Sequence, residues 1–318
     1  MPILTHPVVA DETYNMPGWV AHLKNWQAQG SITNSEYTRA IEYLFSQGIL
    51  QRYSAEELLE VVQPESADME EKCADRDFPL VDWSYCDFSG ANLNHANLHD
   101  SNLTGTNFSH AVLDRAYLYH ALLANASLQN AQMIDTQLAR ANLSGANLTN
   151  VNGEFVNLNA AILVGADLSG AYMKHGEFMT ATFANAKLSG IDLSYTDMTD
   201  ADFDGADLLG ADLSEALLKG ATLRNANLSH ANLHDADLNG DDLTGADLSG
   251  SSLQNMGLGF AVLENANLSG ANLNHADLGS ADLRGANLTS ADLTGADPSG
   301  ADLAGADLHC TGNLVCIK

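Results

Sequence analysis

The chain has 318 residues, of which 41 are acidic and 13 basic, and this gives a formal net charge of -28 and a pI near 4.3. A chain this acidic repels nucleic acid and anionic membranes, which excludes direct binding to either and favours a basic protein surface as the partner. The sequence has no apolar run of about 18 residues and no basic segment followed by an apolar one at its start, so we expect a soluble, cytoplasmic protein.

Residues 1–62 are predicted to form a small helical module. Thr33 with Glu36, and Ser54 with Glu57, have the spacing of helix capping boxes, and we expect three short helices. Residues 23–50, with the pattern G-x-I-T-x-x-E-Y, resemble the short helical hairpins called SHOCT-like domains. That resemblance implies a role in oligomerisation or targeting.

Residues 63–75 are polar and acidic and contain one proline. They are predicted to be a linker, or an N-terminal cap over the first coil of the repeat that follows. A cap is expected there because the first coil would otherwise expose apolar surface and unpaired strand edges.

Residues 76–310 carry a five-residue repeat that keeps its frame over 47 units. The central residue is Leu, Phe or Met in every unit except at Trp83, Gly153 and Pro298, and the residue two places before it is usually Ala. Asp or Asn usually stands between them. A period of five fits neither a helix nor an ordinary strand, so the chain is expected to turn a corner in each unit, with one large and one small side chain inward.

The motif A-(D/N)-L-x-x, as in Ala91-Asn92-Leu93 and Ala246-Asp247-Leu248, resembles that of the pentapeptide-repeat family. The resemblance implies a mainly β fold, a right-handed quadrilateral β-helix or solenoid, to which the small N-terminal α-helical module is joined. It also implies four units per coil, so residues twenty apart lie above one another. At a strand spacing of about 4.8 Å, the rod would have about 12 coils and a length of roughly 55–60 Å.

Three positions interrupt the repeat. Gly153 lacks a central side chain between Met133 and Met173, and we expect these methionines and the flanking inward valines to fill the gap; the alternative is a hinge or ligand pocket. Asp241 takes an inward position usually held by Ala, where its carboxylate must find donors or turn outward. Pro298 replaces a central Leu near the end of the rod, where lost ladder bonds matter least.

The four cysteines are too few and too scattered to indicate a disulfide framework. Cys86 stands at a position usually held by Ala and is predicted to be a small core residue. Cys310 and Cys316 bracket a short loop that a disulfide would close in an oxidising setting, and two free thiols are the alternative. Residues 311–318 are the C-terminal cap or tail, and a cap so short favours dimerisation or end-to-end assembly.

No nucleophile–base pair, phosphate-binding loop, dinucleotide fingerprint or Cys/His zinc spacing occurs, so we predict a non-enzymatic protein without cofactor or metal. His230 and His234 have a spacing that would share a ligand on a helix. In a β-helix of this period the same spacing straddles a corner, which speaks against a metal site.

One group of residues, the acidic belt, is the candidate binding site. Five aspartates precede successive central positions and so pass round all four faces of one coil, and three further carboxylates adjoin them. The belt consists of Asp192, Asp197, Asp200, Asp202, Asp204, Asp207, Asp212 and Glu215. No basic residue intervenes between Lys187 and Lys219. The alternative interpretation is that Asp and Asn are interchangeable in the motif and serve solubility.

These patterns favour a binding scaffold that presents an acidic β-helical rod to a basic protein. Some pentapeptide-repeat proteins resemble duplex DNA in width and charge, and the resemblance thus implies a second candidate, a DNA mimic that modulates a type II topoisomerase such as DNA gyrase. A third candidate is a structural rod that assembles end to end.

Overall fold

The computed structural model describes Cys73 and residues 80–316. The chain divides into two units, Met1–Glu70 and Glu71–Lys318, and the description below concerns the second. The predicted helical module of residues 1–62 and its SHOCT-like pattern lie outside the described residues.

Residues 81–311 form a parallel β-helix with four pentapeptides in each coil. Isolated β-bridges join residues twenty apart, from Asp82 with Asn102 to Asn287 with Asp307, and the series closes with Asp292 and Thr311. Between residues 80 and 316 the chain has only these single-residue bridges and no longer strand or helix, because it turns after every unit.

The coil has four faces, which we number by their central residues. Face 1 contains residue 83 and every twentieth residue after it, face 2 starts at residue 88, face 3 at residue 93 and face 4 at residue 98. Each face ends at a corner residue two places after its central residue. Corner 3–4, for example, is the column that starts at His95 and continues with Arg115.

The core consists of two inward columns per face, one of large side chains and one of small ones. Leu103, Leu123 and Leu143 are fully buried on face 1, and alanines such as Ala121 and Ala141 are buried beside them. Phe183 and Phe203 stack on the same face with ring centroids 4.8 Å apart. Each such Leu or Phe contributes about 1.5–3 kcal/mol by apolar burial, so the interior ladder stabilises the rod along its whole length.

Backbone hydrogen bonds join each coil to the next. The amide of Leu103 donates to the carbonyl of Leu122 over 2.7 Å, and the amide of Asn102 donates to the carbonyl of Val81 over 2.9 Å. At the corner, the amide of Thr106 donates back to the carbonyl of Leu103. The corner residue takes a positive φ in unit after unit, which explains why Gly and Asn are frequent there.

Two of the irregular positions are explained by packing. A Cβ at Gly153 would lie 3.4 Å from Cγ of Met173 and 3.6 Å from both Val151 and Val156, so three of the four side chains expected to fill the gap line it. Pro298 belongs to the last coil of the repeat. In the previous coil, the amide of Leu278 donates to the carbonyl of Asp297. Pro298 has no backbone N–H to donate. In this coil that N–H would have pointed toward the end of the rod, where the repeat stops, so little is lost.

Candidate functional site

The aspartates and asparagines that precede the central residues have a structural role. The carboxylate of Asp192 accepts from the amide of Ser194 over 3.0 Å, and the side-chain carbonyl of Asn142 accepts from the amide of Ser144 over 3.1 Å. Both residue types therefore satisfy the same turn amide. This geometry explains their interchange in the motif, and only the aspartates add charge.

The structure places the five ring aspartates of the acidic belt as the repeat predicts. Asp192 and Asp212 lie on face 3, Asp197 on face 4, Asp202 on face 1 and Asp207 on face 2, all half-buried at their bases. Asp192 and Asp212 are joined by a β-bridge, which stacks two carboxylates on adjacent coils. Like charges at such positions repel each other, and a cationic neighbour reduces the repulsion.

One cation from a neighbouring coil reaches the belt. Arg224 Nε donates to Asp204 over 2.9 Å on face 1. On face 2 the backbone of Lys187 forms a β-bridge with Asp207, but the Lys187 ammonium lies 3.7 Å from Asp167, outside the belt. Partial burial works to raise the pKa of Asp204, but hydrogen bonds from Arg224 and Thr222 outweigh it and lower the pKa. The belt is thus partly compensated on face 1. Sequence reasoning missed this, although comparing each residue with the one twenty places away would have found Arg224.

On faces 3 and 4, within residues 80–316, no carboxylate of the belt forms an ion pair. Asp192, Asp197 and Asp212 accept hydrogen bonds from neutral groups of their own turns, and Asp200 and Glu215 are exposed corner residues. Hydrogen bonding to Glu215 and the negative charge of that carboxylate raise the pKa of Tyr195. These two faces are where an incoming cation would meet free carboxylate oxygens.

Asp241 has its side chain inside the rod, at the corner between faces 4 and 1. It is 1% exposed; one carboxylate oxygen accepts from the amide of Gly220 over 2.6 Å, and the other has no hydrogen-bond partner. Burial raises the pKa of Asp241 to about 7, and the charges of Asp237 and Asp200 act in the same direction. Of the two outcomes expected from sequence, the side chain has found a donor and has not turned outward.

All four cysteines are bonded in pairs. Cys310 is joined to Cys316 at the C-terminal end of the rod. Cys86 is joined to Cys73, which precedes the first described coil. Cys86 is buried in the core as predicted, and its sulfur is also bonded to Cys73, which the sequence pattern did not predict. Cys73 lies outside the repeat, so the period gave no sign of this pairing.

The histidines of residues 80–316 lie on the surface of the rod, and two of them, His99 and His120, contact the same carboxylate at Asp100. His234 contacts Asp235 and the carbonyl of Gln254, while His230 is a residue of corner 2–3. Among Cys73 and residues 80–316, no group of three or more His, Cys, Asp or Glu side chains has a geometry that would hold a metal ion.

Two family models match the chain. A pentapeptide repeat region matches residues 76–155, and pentapeptide repeats match segments from 181 to 311. The chain belongs to the pentapeptide-repeat family. Like other members of that family, the chain folds as a mainly β, right-handed β-helix.

Several solved structures of this family are similar to the chain. HetL, involved in heterocyst differentiation regulation in the cyanobacterium Nostoc sp. strain PCC 7120, is 29% identical over 81% of this chain and 95% of its own, with a TM-score of 0.36. A trypsin-treated variant of QnrB1, a plasmid-mediated fluoroquinolone resistance protein, is 22% identical over 55% and 89%, with a TM-score of 0.45. Rfr23 from the cyanobacterium Cyanothece 51142 is 34% identical over 38% and 67%, with a TM-score of 0.22.

No curated protein matches this pentapeptide-repeat chain significantly. Within the part of the chain that the structure describes, no helix has the length and apolar character needed to cross a bilayer.

Proposed function

We propose that this pentapeptide-repeat protein is a non-enzymatic binding scaffold whose rod presents an acidic surface to a basic protein. The observation that carries the proposal is the group of carboxylates without an ion pair on faces 3 and 4 of the belt, at Asp192, Asp197, Asp200, Asp212 and Glu215. The other two faces hold three belt carboxylates, of which Asp204 is paired with Arg224, so a basic partner gains most on faces 3 and 4.

The charge distribution along the rod supports the same proposal. Residues 191–310 contain 20 acidic and three basic residues, against eight and four in residues 81–190. Two of the three cations, Arg224 and Arg284, lie on face 1 and bind carboxylates there. The remaining faces of this half have one cation, Lys219 on face 4, and they therefore carry most of the uncompensated charge. Such a field steers basic partners toward it.

Affinity purification from the native host, with the full chain immobilised, tests the proposal. We expect a basic protein to be retained at about 50 mM salt and released at about 200 mM, because exposed charges are screened as salt rises. Retention that does not change with salt, or retention of acidic and neutral proteins only, would contradict an electrostatic scaffold.

A DNA mimic that modulates a type II topoisomerase such as DNA gyrase is a second candidate. The uninterrupted stacking of coils favours it, because the pairing of Asp192 with Asp212 repeats negative charge along the rod axis at the coil spacing. On this proposal the partner is itself a DNA-binding protein and the rod occupies its duplex site.

End-to-end assembly of rods, or a homodimer, is a third candidate. The last coil of the repeat leaves Leu303 and Leu308 only partly buried, and Leu314 beyond it is fully exposed. Apolar surface at the end of a β-ladder favours association with a second copy. Particle length in electron micrographs across a concentration series tests this candidate against a single rod.

A further inference from the structure

Three aromatic rings form an exposed stack along corner 3–4. The ring of Phe155 lies 5.2 Å from that of His175, centroid to centroid, and His175 lies 5.2 Å from Tyr195 on the next coil. Phe155 is 52% exposed and Tyr195 is 44% exposed. Exposed rings in a continuous row on a polar rod mark a contact surface for another molecule.

The same column becomes acidic on the next two coils. Glu215 follows Tyr195, and Asp235 follows Glu215. Asp192 and Asp212 flank the column on face 3. We call Phe155, His175, Tyr195, Glu215 and Asp235 the aromatic–acidic ridge.

The ridge already accepts one cation from its own chain. The ammonium group of Lys174 lies 4.6 Å from the centroid of the Tyr195 ring. A cation over a ring face is stabilised by the negative face of the π-system. This contact shows that the ridge offers a ring to a positive side chain within reach of carboxylates.

Corner 3–4 also differs from the other corners in composition. Ten successive positions, from His95 to His275, have no glycine although each has a φ of 56–60°. At corner 1–2, the positions after Tyr85 are all Gly or Asn. Bulky side chains at positive φ are disfavoured, so the large side chains of corner 3–4 are held there at a conformational cost.

We propose that the aromatic–acidic ridge is the docking edge for arginine side chains of the basic partner. The proposal rests on the proposed function and names the part of the rod that makes the contact. A guanidinium is planar, so it stacks on Tyr195 while its N–H groups reach Glu215 one coil away, and a second arginine stacks on Phe155. A lysine ammonium lacks the flat face and the paired donors, and it therefore gains less from the same surface.

Binding of an oligoarginine peptide and of an oligolysine peptide of equal length to the full chain tests the ridge. The parent should bind the arginine peptide more tightly. The double variant Phe155→Gly with Tyr195→Gly removes both rings without altering charge, and glycine accepts the positive φ at both sites. We expect it to weaken arginine binding on the order of fivefold and to reduce the preference over lysine. Its circular dichroism should match the parent.

A matched pair of charge variants locates the contact. Glu215→Gln with Asp235→Asn removes two charges from the ridge, and Asp207→Asn with Asp247→Asn removes two from face 2. The ridge pair should lose more affinity than the face 2 pair. Equal losses from both pairs, with the glycine variant binding like the parent, would overturn the ridge and leave a diffuse acidic scaffold. If neither peptide binds at low salt, the ridge and the proposed function both fail.

Discussion

The amide nitrogen of Gly220 lies 2.6 Å from Oδ1 of Asp241, which stands on the next coil. At the equivalent positions on the adjacent coils, the amides of Asp200 and Gly240 donate to the backbone carbonyls of Lys219 and Gly259. The Asp241 carboxylate has thus replaced a ladder carbonyl inside the rod. A charged group in that position couples the stability of the ladder to protonation.

We predict that Asp241 lowers stability as pH rises. Its pKa is about 7 in the folded chain and near 3.9 when unfolded, so the folded state holds a proton that the unfolded state has released. The stability is fully present below pH 4 and is lost as pH rises through 7, with a total of up to about 4 kcal/mol. Asp241→Ala, which restores the usual residue of the column, should raise the melting temperature more at pH 8 than at pH 5.

The comparison of parent and variant isolates this group. Asp87, Asp292 and Asp297 have lowered pKa values, chiefly because they accept hydrogen bonds from Ser or Thr of their own turns, so they stay ionised between pH 5 and 8. All other ionisable groups are common to the parent and the variant. Melting curves that shift in parallel with pH would show that Asp241 does not titrate in this range.

Two glycines should respond to alanine in opposite directions. Gly153→Ala places a methyl group in ordinary contact with Met173 at an unstrained φ, and we expect a gain of about 0.4–1 kcal/mol from the unfolded state. Gly165 has open space around it but a φ of 65°, so Gly165→Ala should cost about 1–2 kcal/mol. Chemical denaturation of both variants measures the difference, and equal effects would contradict the account of corner strain.

The inward columns of the rod could be predicted from the sequence because the period fixes which residues face inward. Leu208 and Leu228, for example, are central residues of the repeat, and both are fully buried. The belt could be placed on its faces by the same counting. The compensation of Asp204 by Arg224 could be found only by pairing each residue with its neighbour on the next coil.

Other features depend on the exact path of the backbone. The disulfide bond between Cys73 and Cys86 joins a residue outside the repeat to one inside it, so the five-residue period gives no indication of it. The use of Asp241 as a ladder acceptor depends on where the Gly220 amide lies. Sequence alone left the inward and outward positions of this side chain equally open.

The fragment 71–318 should fold without the residues that precede it. The repeat supplies its own core, and a fragment that starts at residue 71 retains Cys73 for its bond to Cys86. Circular dichroism should show a β spectrum with one cooperative melting transition. Alkylation before reduction should label no thiol, since all four cysteines are bonded. A disordered fragment would show that the rod depends on the first 70 residues.

Changing Asp192, Asp197, Asp202, Asp207 and Asp212 together to Asn should weaken binding of a basic partner and leave the fold intact. Each Oδ1 accepts from the amide two residues later, and asparagine makes the same bond at Asn142. The variant therefore loses charge but keeps its turn hydrogen bonds. Thermal melting checks the fold, and retention of partner on the immobilised variant checks the binding.

The last prediction separates DNA mimicry from a general acidic scaffold. If the rod imitates duplex DNA, the purified full chain should compete with duplex for a DNA-binding partner, and it should inhibit supercoiling by gyrase if gyrase is that partner. Competition should fall as salt rises from about 50 to about 200 mM, because both surfaces are exposed and charged.

The five-Asn variant is the control for this competition, since it keeps the stacked coils and removes the belt charge. It should lose competition while it melts like the parent. A parent that binds the basic partner but leaves its duplex bound would support the scaffold and contradict mimicry. Competition that persists at high salt and in the five-Asn variant would instead place the contact at an apolar surface, such as the partly buried Leu303 and Leu308 at the end of the rod, where neither salt nor the belt acts.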